Sequence, residues 1–145
     1  MAKTATDPGY AACPIRNIVD RFGDKWSLLV LYNLHTGGRL RFSEIHRRMT
    51  DISQKMLTST LRRLEQDGLL SRTVYPEVPP RVEYSLTPTG QSLRPILEAM
   101  YAWGTAYMLT RGEQPTCGMD PPKDGAIERL VEQLKAAQFQ SCCGE

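Results

Sequence analysis

Residues 52–68 read Ile-Ser-Gln-Lys-Met-Leu-Thr-Ser-Thr-Leu-Arg-Arg-Leu-Glu-Gln-Asp-Gly. Leu57, Leu61 and Leu64 fall on one stripe of a helix, Lys55, Ser59, Arg62 and Gln66 fall on the opposite stripe, and Gln54, Thr58 and Arg63 lie at the margins. Ser53 is a natural N-cap, and Asp67-Gly68 ends the helix. Just upstream, Glu44, Ile45, His46 and Met49 mark a shorter helix with Ser43 as its expected cap, and Thr50 to Ile52 form the turn between the two. Two short helices joined by a tight turn, the second polar and basic on its outer face, make a helix-turn-helix candidate.

Toward the N-terminus, residues 1–12 lack periodicity and read as a flexible arm. Pro14 suits the first position of a helix bearing Ile15, Ile18, Val19 and Phe22, which Gly23 stops. Asp24 can cap a second helix from Trp26 to Leu34 whose apolar residues cover most of its circumference, as expected of the buried centre of a domain. Gly37-Gly38 breaks it, and Arg39 to Phe42 alternates like a short strand.

Toward the C-terminus, Leu70 to Tyr75 and Arg81 to Leu86 form a hairpin whose tip, Pro76-Glu77-Val78-Pro79-Pro80, is stiff and bars sheet extension. Thr87 and Pro88 open a fifth helix with a wide apolar stripe, and Pro95 is expected to kink it. Helix, helix, strand, helix, recognition helix, hairpin, long helix is the order of a winged helix-turn-helix domain, mainly α with a small β-hairpin. We place that domain at residues 13–111, with residues 112–145 as a linker and a peripheral helix carrying Ile127, Leu130, Val131 and Leu134. The long helix offers more apolar surface than a small domain can cover, so it is expected to dimerise the chain through Leu97, Tyr101, Gly104 and Met108, with Ile15 of the first helix alongside.

At 145 residues, 41% of them hydrophobic, the chain can bury a core without disulfides or a structural metal. No apolar run approaches the roughly 20 residues of a membrane span, and residues 1–10 lack the centre of a signal peptide, so a cytoplasmic location with free thiols is expected and no membrane partner. The net charge of +2 hides an asymmetry. Arg39, Arg41, Arg47, Arg48, Lys55, Arg62 and Arg63 are opposed only by Glu44 and Asp51 within that stretch, while acids outnumber bases after Gly112. A basic middle and an acidic tail suit contact with an anionic polymer, although a solvated helical face would have the same charge.

Several stretches resemble the HxlR-type family of bacterial winged-helix transcription regulators: Cys13-Pro14-Ile15, Gly23-Asp24-Lys25-Trp26, Leu40-Arg41-Phe42-Ser43-Glu44-Ile45, Ile52-Ser53-Gln54-Lys55-Met56-Leu57-Thr58, Leu64-Glu65-Gln66-Asp67-Gly68-Leu69, and Tyr75 through Tyr84 in the wing. They span roughly residues 13–104, and the wing segment is the most specific. The resemblance implies a homodimer formed through the first and last helices of the domain, binding operator DNA as a repressor or activator. It also implies that Cys13 occupies the position at which some members sense oxidants or electrophiles. Residues 112–145 depart from the pattern.

On this reading Gln54, Lys55, Thr58 and Ser59 face base edges in the major groove. Arg62, Arg63, Arg39, Arg41, Arg47 and Arg48 meet phosphates, His46 is a further phosphate candidate, and the cap positions Ser43 and Ser53 lie beside the same surface. Arg81 at the wing either enters the minor groove, touches a phosphate or makes no contact. Cys13 sits before Pro14 at a helix N-terminus with Arg16 nearby, features that favour a thiolate, against the alternative of a small buried thiol. Double-stranded operator DNA and a second copy are the expected partners, with repression of a near-palindromic operator the expected role and no cofactor or metal.

Cys117, Cys142 and Cys143 show no metal-ligand spacing, and Cys142 and Cys143 lie on the tail, where either could resolve an oxidised Cys13. With no phosphate-binding glycine loop, serine elbow or redox Cys pair, the pattern is not that of an enzyme. Two alternatives remain open: a regulator whose effector binds between helices, near Trp26, Tyr101, Trp103 and Tyr107, and a winged helix used only for protein assembly.

Overall fold

The computed structural model describes residues 12–117 and 119–142 and, for residues 139–142, the backbone alone. The described chain divides into two compact units, one ending at Gln91 and one beginning at Ser92.

The first unit opens with helix α1 (Pro14–Phe22), which has Pro14 in its first turn and ends where Gly23 N–H bonds to Val19 O at 2.9 Å. Helix α2 (Ser27–Gly37) follows. Its entry is fixed by Asp24, whose carboxylate accepts from the backbone N–H groups of Trp26 at 3.2 Å and Ser27 at 3.1 Å, supplying acceptors for donors that a helix start leaves orphaned. Val30, Leu31, Tyr32, Asn33 and Leu34 of α2 are all buried, as its all-round apolarity requires.

Strand β1 (Arg39–Arg41) leads into helix α3 (Phe42–Arg48). The expectation that Ser43 caps α3 is corrected. Ser43 is already inside the helix and exposed, and the Glu44 carboxylate instead reaches back to the Arg41 N–H at 2.7 Å. Helix α4 (Gln54–Gln66) is capped by Ser53, whose Oγ accepts from Met56 N at 3.1 Å.

Strands β2 (Leu70–Tyr75) and β3 (Arg81–Leu86) pair antiparallel in register from Leu70 opposite Leu86 to Tyr75 opposite Arg81. Strand β1 adds to the other edge of β3, giving the order β1-β3-β2. Leu31, Leu34, Ile45, Leu57, Leu61, Leu64 and Leu70 are fully buried side chains of this unit. Each such side chain contributes roughly 1.5–3 kcal/mol through burial, so the inner stripe of α4 anchors it while leaving its outer stripe in solvent.

Helix α5 (Pro88–Gln91) closes the unit. Thr87 Oγ1 accepts from Gly90 N at 3.1 Å and donates to the Gly68 carbonyl. Gly90 is buried so tightly that a Cβ there would run into the Leu69 carbonyl oxygen.

The second unit consists of helix α6 (Arg94–Thr110) and helix α7 (Ala126–Cys142), packed on each other. The single kinked helix expected from Thr87 onward is corrected to two helices, α5 and α6. Proline lacks the N–H that would continue the ladder and its ring obstructs the preceding turn, so Pro95 serves in the first turn of a new helix instead of bending an old one. Helix α7 carries the expected Ile127, Leu130, Val131 and Leu134, each half-buried.

Candidate nucleic-acid interface

The turn between α3 and α4 is tied from several directions. Met49 N bonds to Ile45 O at 3.1 Å, Ile52 N bonds to Met49 O at 3.3 Å, and His46 Nε2 lies 2.9 Å from Ile52 O. Buried Ile52 then delivers the chain to the Ser53 cap. The outer stripe of α4 presents Gln54, Lys55, Ser59, Arg62 and Gln66, all exposed, with half-buried Thr58 between them donating to Gln54 O at 2.8 Å. Lys55, Thr58, Ser59, Arg62, Arg63 and Gln66 line one shallow open concavity. Arg47 and Arg48 are exposed on the adjoining α3, and Arg41 is exposed at its entrance. Among the described residues none forms an ion pair with Arg47, Arg48, Lys55 or Arg62, so these four cations are available to an external anion.

Arg63 is differently placed. Its Nη2 lies 2.7 Å from Asp24 Oδ1 and 2.5 Å from Ser27 Oγ, while Ser27 Oγ donates to Asp24 Oδ1 at 2.6 Å. The side chain thus braces α4 against the start of α2. Burial pushes the Asp24 carboxyl up, but the hydrogen bonds from Ser27 and Arg63 and the Arg63 charge outweigh it, leaving Asp24 below its ordinary value. A second brace joins Arg21 of α1 to Asp67 at the end of α4, 3.0 Å apart.

The wing arginines are also engaged. The Arg81 guanidinium lies 4.1 Å above the Tyr75 ring, 3.3 Å from Glu77 and 3.5 Å from Glu83, and Arg39 Nη1 donates to the Tyr75 hydroxyl at 2.6 Å. Two guanidiniums around Tyr75 and Glu83 stiffen the base of the wing, leaving Val78 fully exposed near its tip. Met56, 44% exposed on the first turn of α4, is a surface residue that hydrophobic patterning does not single out. It is visible only as an apolar side chain off the Leu57, Leu61, Leu64 stripe.

Cys13 is the N-cap residue of α1, partly exposed. Cys117 is exposed with its Sγ 3.5 Å from the Tyr101 hydroxyl, whereas the Cys142 side chain and Cys143 lie outside the described residues, as do residues 1–11. Ile15 is 70% exposed on α1, and Leu97 is 2% exposed, already inside the monomer. The apolar side chains that α6 leaves in solvent are Ile96, Met100, Trp103, Tyr107 and Leu109, with Trp103 and Tyr107 stacked at 5.0 Å between ring centroids. Tyr101, Gly104 and Met108 are half-buried.

Residues 21–111 match the family model described as HxlR-like helix-turn-helix. The chain belongs to this family. It is 56% identical over 116 residues to an uncharacterized HTH-type transcriptional regulator of Methanothermobacter thermautotrophicus, an alignment covering 72% of this chain and 88% of that one. Among solved structures it is similar to the redox regulator HypR in its reduced form, with a TM-score of 0.64 at 41% identity over 69% of this chain and 98% of that one. It is also similar to the reduced transcriptional regulator YodB of Bacillus subtilis, with a TM-score of 0.57 at 36% identity over 66% and 93% of the two chains. This HxlR-type chain is therefore a transcriptional regulator of the helix-turn-helix class with a winged-helix fold. No helix among its described residues is long and apolar enough to cross a membrane.

Proposed function

We propose that the protein is a homodimeric, sequence-specific DNA-binding repressor that places α4 in the major groove of a near-palindromic operator. The observation that carries this reading is the capped α4, whose outer stripe is free of core packing and flanked by Arg47, Arg48, Lys55 and Arg62, cations with no ion-pair partner among the described residues. Gln54, Lys55, Thr58 and Ser59, on the N-terminal half, suit base edges. Arg41, Arg47, Arg48 and Arg62 suit phosphates, with Ser43 and Ser53 beside them. The exposed faces of α1 and α6 suit a second copy, through Ile15 and through Ile96, Met100, Trp103 and Tyr107 rather than through Leu97, with Gly104, Tyr101 and Met108 at their margin. The test is enrichment of duplexes from a randomised library followed by footprinting and salt titration. Two related half-sites and a steep fall of affinity with salt support the reading; no enrichment at any salt concentration favours an assembly module.

We further propose that Cys13 gates this binding. HypR is described as a redox regulator, YodB was also solved after diamide treatment, and Cys13 here is partly exposed at a helix N-terminus. Addition of an electrophile to the Cys13 sulfur, or its pairing with a second thiol as diamide takes up two electrons and two protons, would alter the α1 surface. Diamide is expected to abolish binding by the wild type, reversibly with dithiothreitol, and to spare Cys13→Ser. Equal responses of the two proteins would exclude Cys13. An effector-controlled regulator is the second reading, favoured by a cleft of about 460 Å³ between α6 and α7 lined by Pro95, Ala99, Ala102, Ala126 and Leu130, with Glu98 and Arg129 among its polar residues.

A further inference from the structure

We infer that His46 is a positioning residue for DNA reading, acting through the Ile52 carbonyl and not through a contact with DNA. The inference rests on α4 being the reading helix. Ile52 immediately precedes the Ser53 N-cap, so its carbonyl lies outside the α4 ladder, in which Ser53 O is the first acceptor, taking Leu57 N at 2.9 Å. Ile52 itself is 3% exposed. Its carbonyl oxygen therefore needs a donor from elsewhere, and His46 Nε2, 2.9 Å away, is that donor.

The donating nitrogen is Nε2–H in the neutral ring, and the doubly protonated ring donates from the same atom, so the bond survives either protonation state. The ring is held from its face as well, stacked on Phe42 with centroids 6.2 Å apart and planes 18° from parallel. Phe42 is the first residue of α3 and His46 lies one turn later, so the pair forms one rigid arm reaching from α3 to the residue that sets where α4 begins. A helix moves as a body. A shift at Ile52 would carry the Ser53 cap with it and displace Gln54, Lys55, Thr58 and Ser59 together. Because Nε2 is turned to the backbone, that nitrogen is not available for the phosphate contact that the basic neighbours of His46 suggest.

The test uses the full chain and three variants. His46→Phe keeps an aromatic ring beside Phe42 and removes the donor, His46→Met removes both the ring and the donor, and His46→Gln restores an amide donor. Each is titrated against a duplex enriched by the wild type from a randomised library and against a scrambled duplex of the same composition, over a range of salt. Amide exchange at Met56 and Leu57 is followed in the free proteins. Loss of one hydrogen bond of ordinary strength predicts roughly fivefold to tenfold weaker binding of the enriched duplex by the Phe and Met variants. The scrambled duplex should be bound as by wild type, with an unchanged salt slope, faster exchange at Met56 and Leu57, and recovery in the Gln variant. Should His46→Phe fail to fold, His46→Met carries the same comparison. Wild-type affinity in a donor-free variant overturns the inference, as does an equal loss on both duplexes with a flattened salt slope, which would make His46 a phosphate contact. If the wild type itself enriches no sequence, it is the DNA reading that fails, and this role falls with it.

Discussion

Arg62 and Arg63 are neighbours in sequence with opposite fates. Arg62 is exposed on the outer stripe of α4 with no ion-pair partner among the described residues, whereas Arg63 turns back to Asp24 and Ser27. Arg62→Ala is therefore expected to weaken binding to every duplex and to flatten the salt slope by about one unit, as for one lost phosphate contact. Arg63→Ala should leave the slope nearly unchanged and lower thermal stability, a contrast that salt titration and calorimetry together resolve. The same brace sets a pH signature. Because Asp24 titrates below its ordinary value in the fold, its share of the stability is complete above the usual carboxylate range and is lost as pH falls through its depressed pKa. The stability gap between wild type and Asp24→Asn should be steady near neutrality and close in acid. Its size should be about 1 kcal/mol or less, since both partners are partly exposed. Sequence spacing placed Arg63 at the margin of the outer stripe, but it could not show which way the guanidinium turns, because its partner lies 39 residues away.

At the scale of elements, the hairpin was legible from alternation and proline placement, and β2 and β3 have the bounds that the pattern gave. So did α4, where Ser53, a leucine stripe and Asp67-Gly68 all point the same way. Two element starts were not legible. Glu44 displaced Ser43 as the group satisfying the start of α3, because a carboxylate at the third helical position can reach back over one turn. The division between α5 and α6 was hidden because Thr87, Pro88 and a periodic apolar stripe all favour a helix from that point, and only the tertiary approach of Gly90 to Leu69 reveals α5 as a docked single turn. That approach leaves no room for a methyl group. Gly90→Ala is expected to destabilise the first unit by roughly 1–3 kcal/mol in urea titration, the cost of overpacking, against a gain if the position merely sat in an unconstrained helix.

For the whole molecule, the amount and location of exposed apolar surface decide the proposed assembly. Ile96, Met100, Trp103 and Tyr107 repeat at spacings of four, three and four residues along α6, the spacing that would suit a seam against another helix. On the proposed assembly the wild type sediments as a dimer at micromolar concentration, and Trp103→Glu should sediment as a monomer with its helical circular dichroism intact. A monomeric wild type would contradict the assembly. The excess of apolar surface on this helix was legible in composition, but which side of it stays exposed was not, since periodicity alone cannot distinguish a stripe covered within one chain, as at Leu97, from one left in solvent. A two-fold dimer sets its two α4 helices on half-sites a whole number of turns apart, about 34 Å per turn. The central claim is that α4 reads sequence, and the most direct measurement is the affinity of Gln54→Ala, Lys55→Ala and Ser59→Ala for the enriched duplex and for its scrambled counterpart. Losses of roughly 1–3 kcal/mol on the enriched duplex with little change on the scrambled one are predicted for residues at base edges, whereas equal losses on both would contradict the assignment of the reading face.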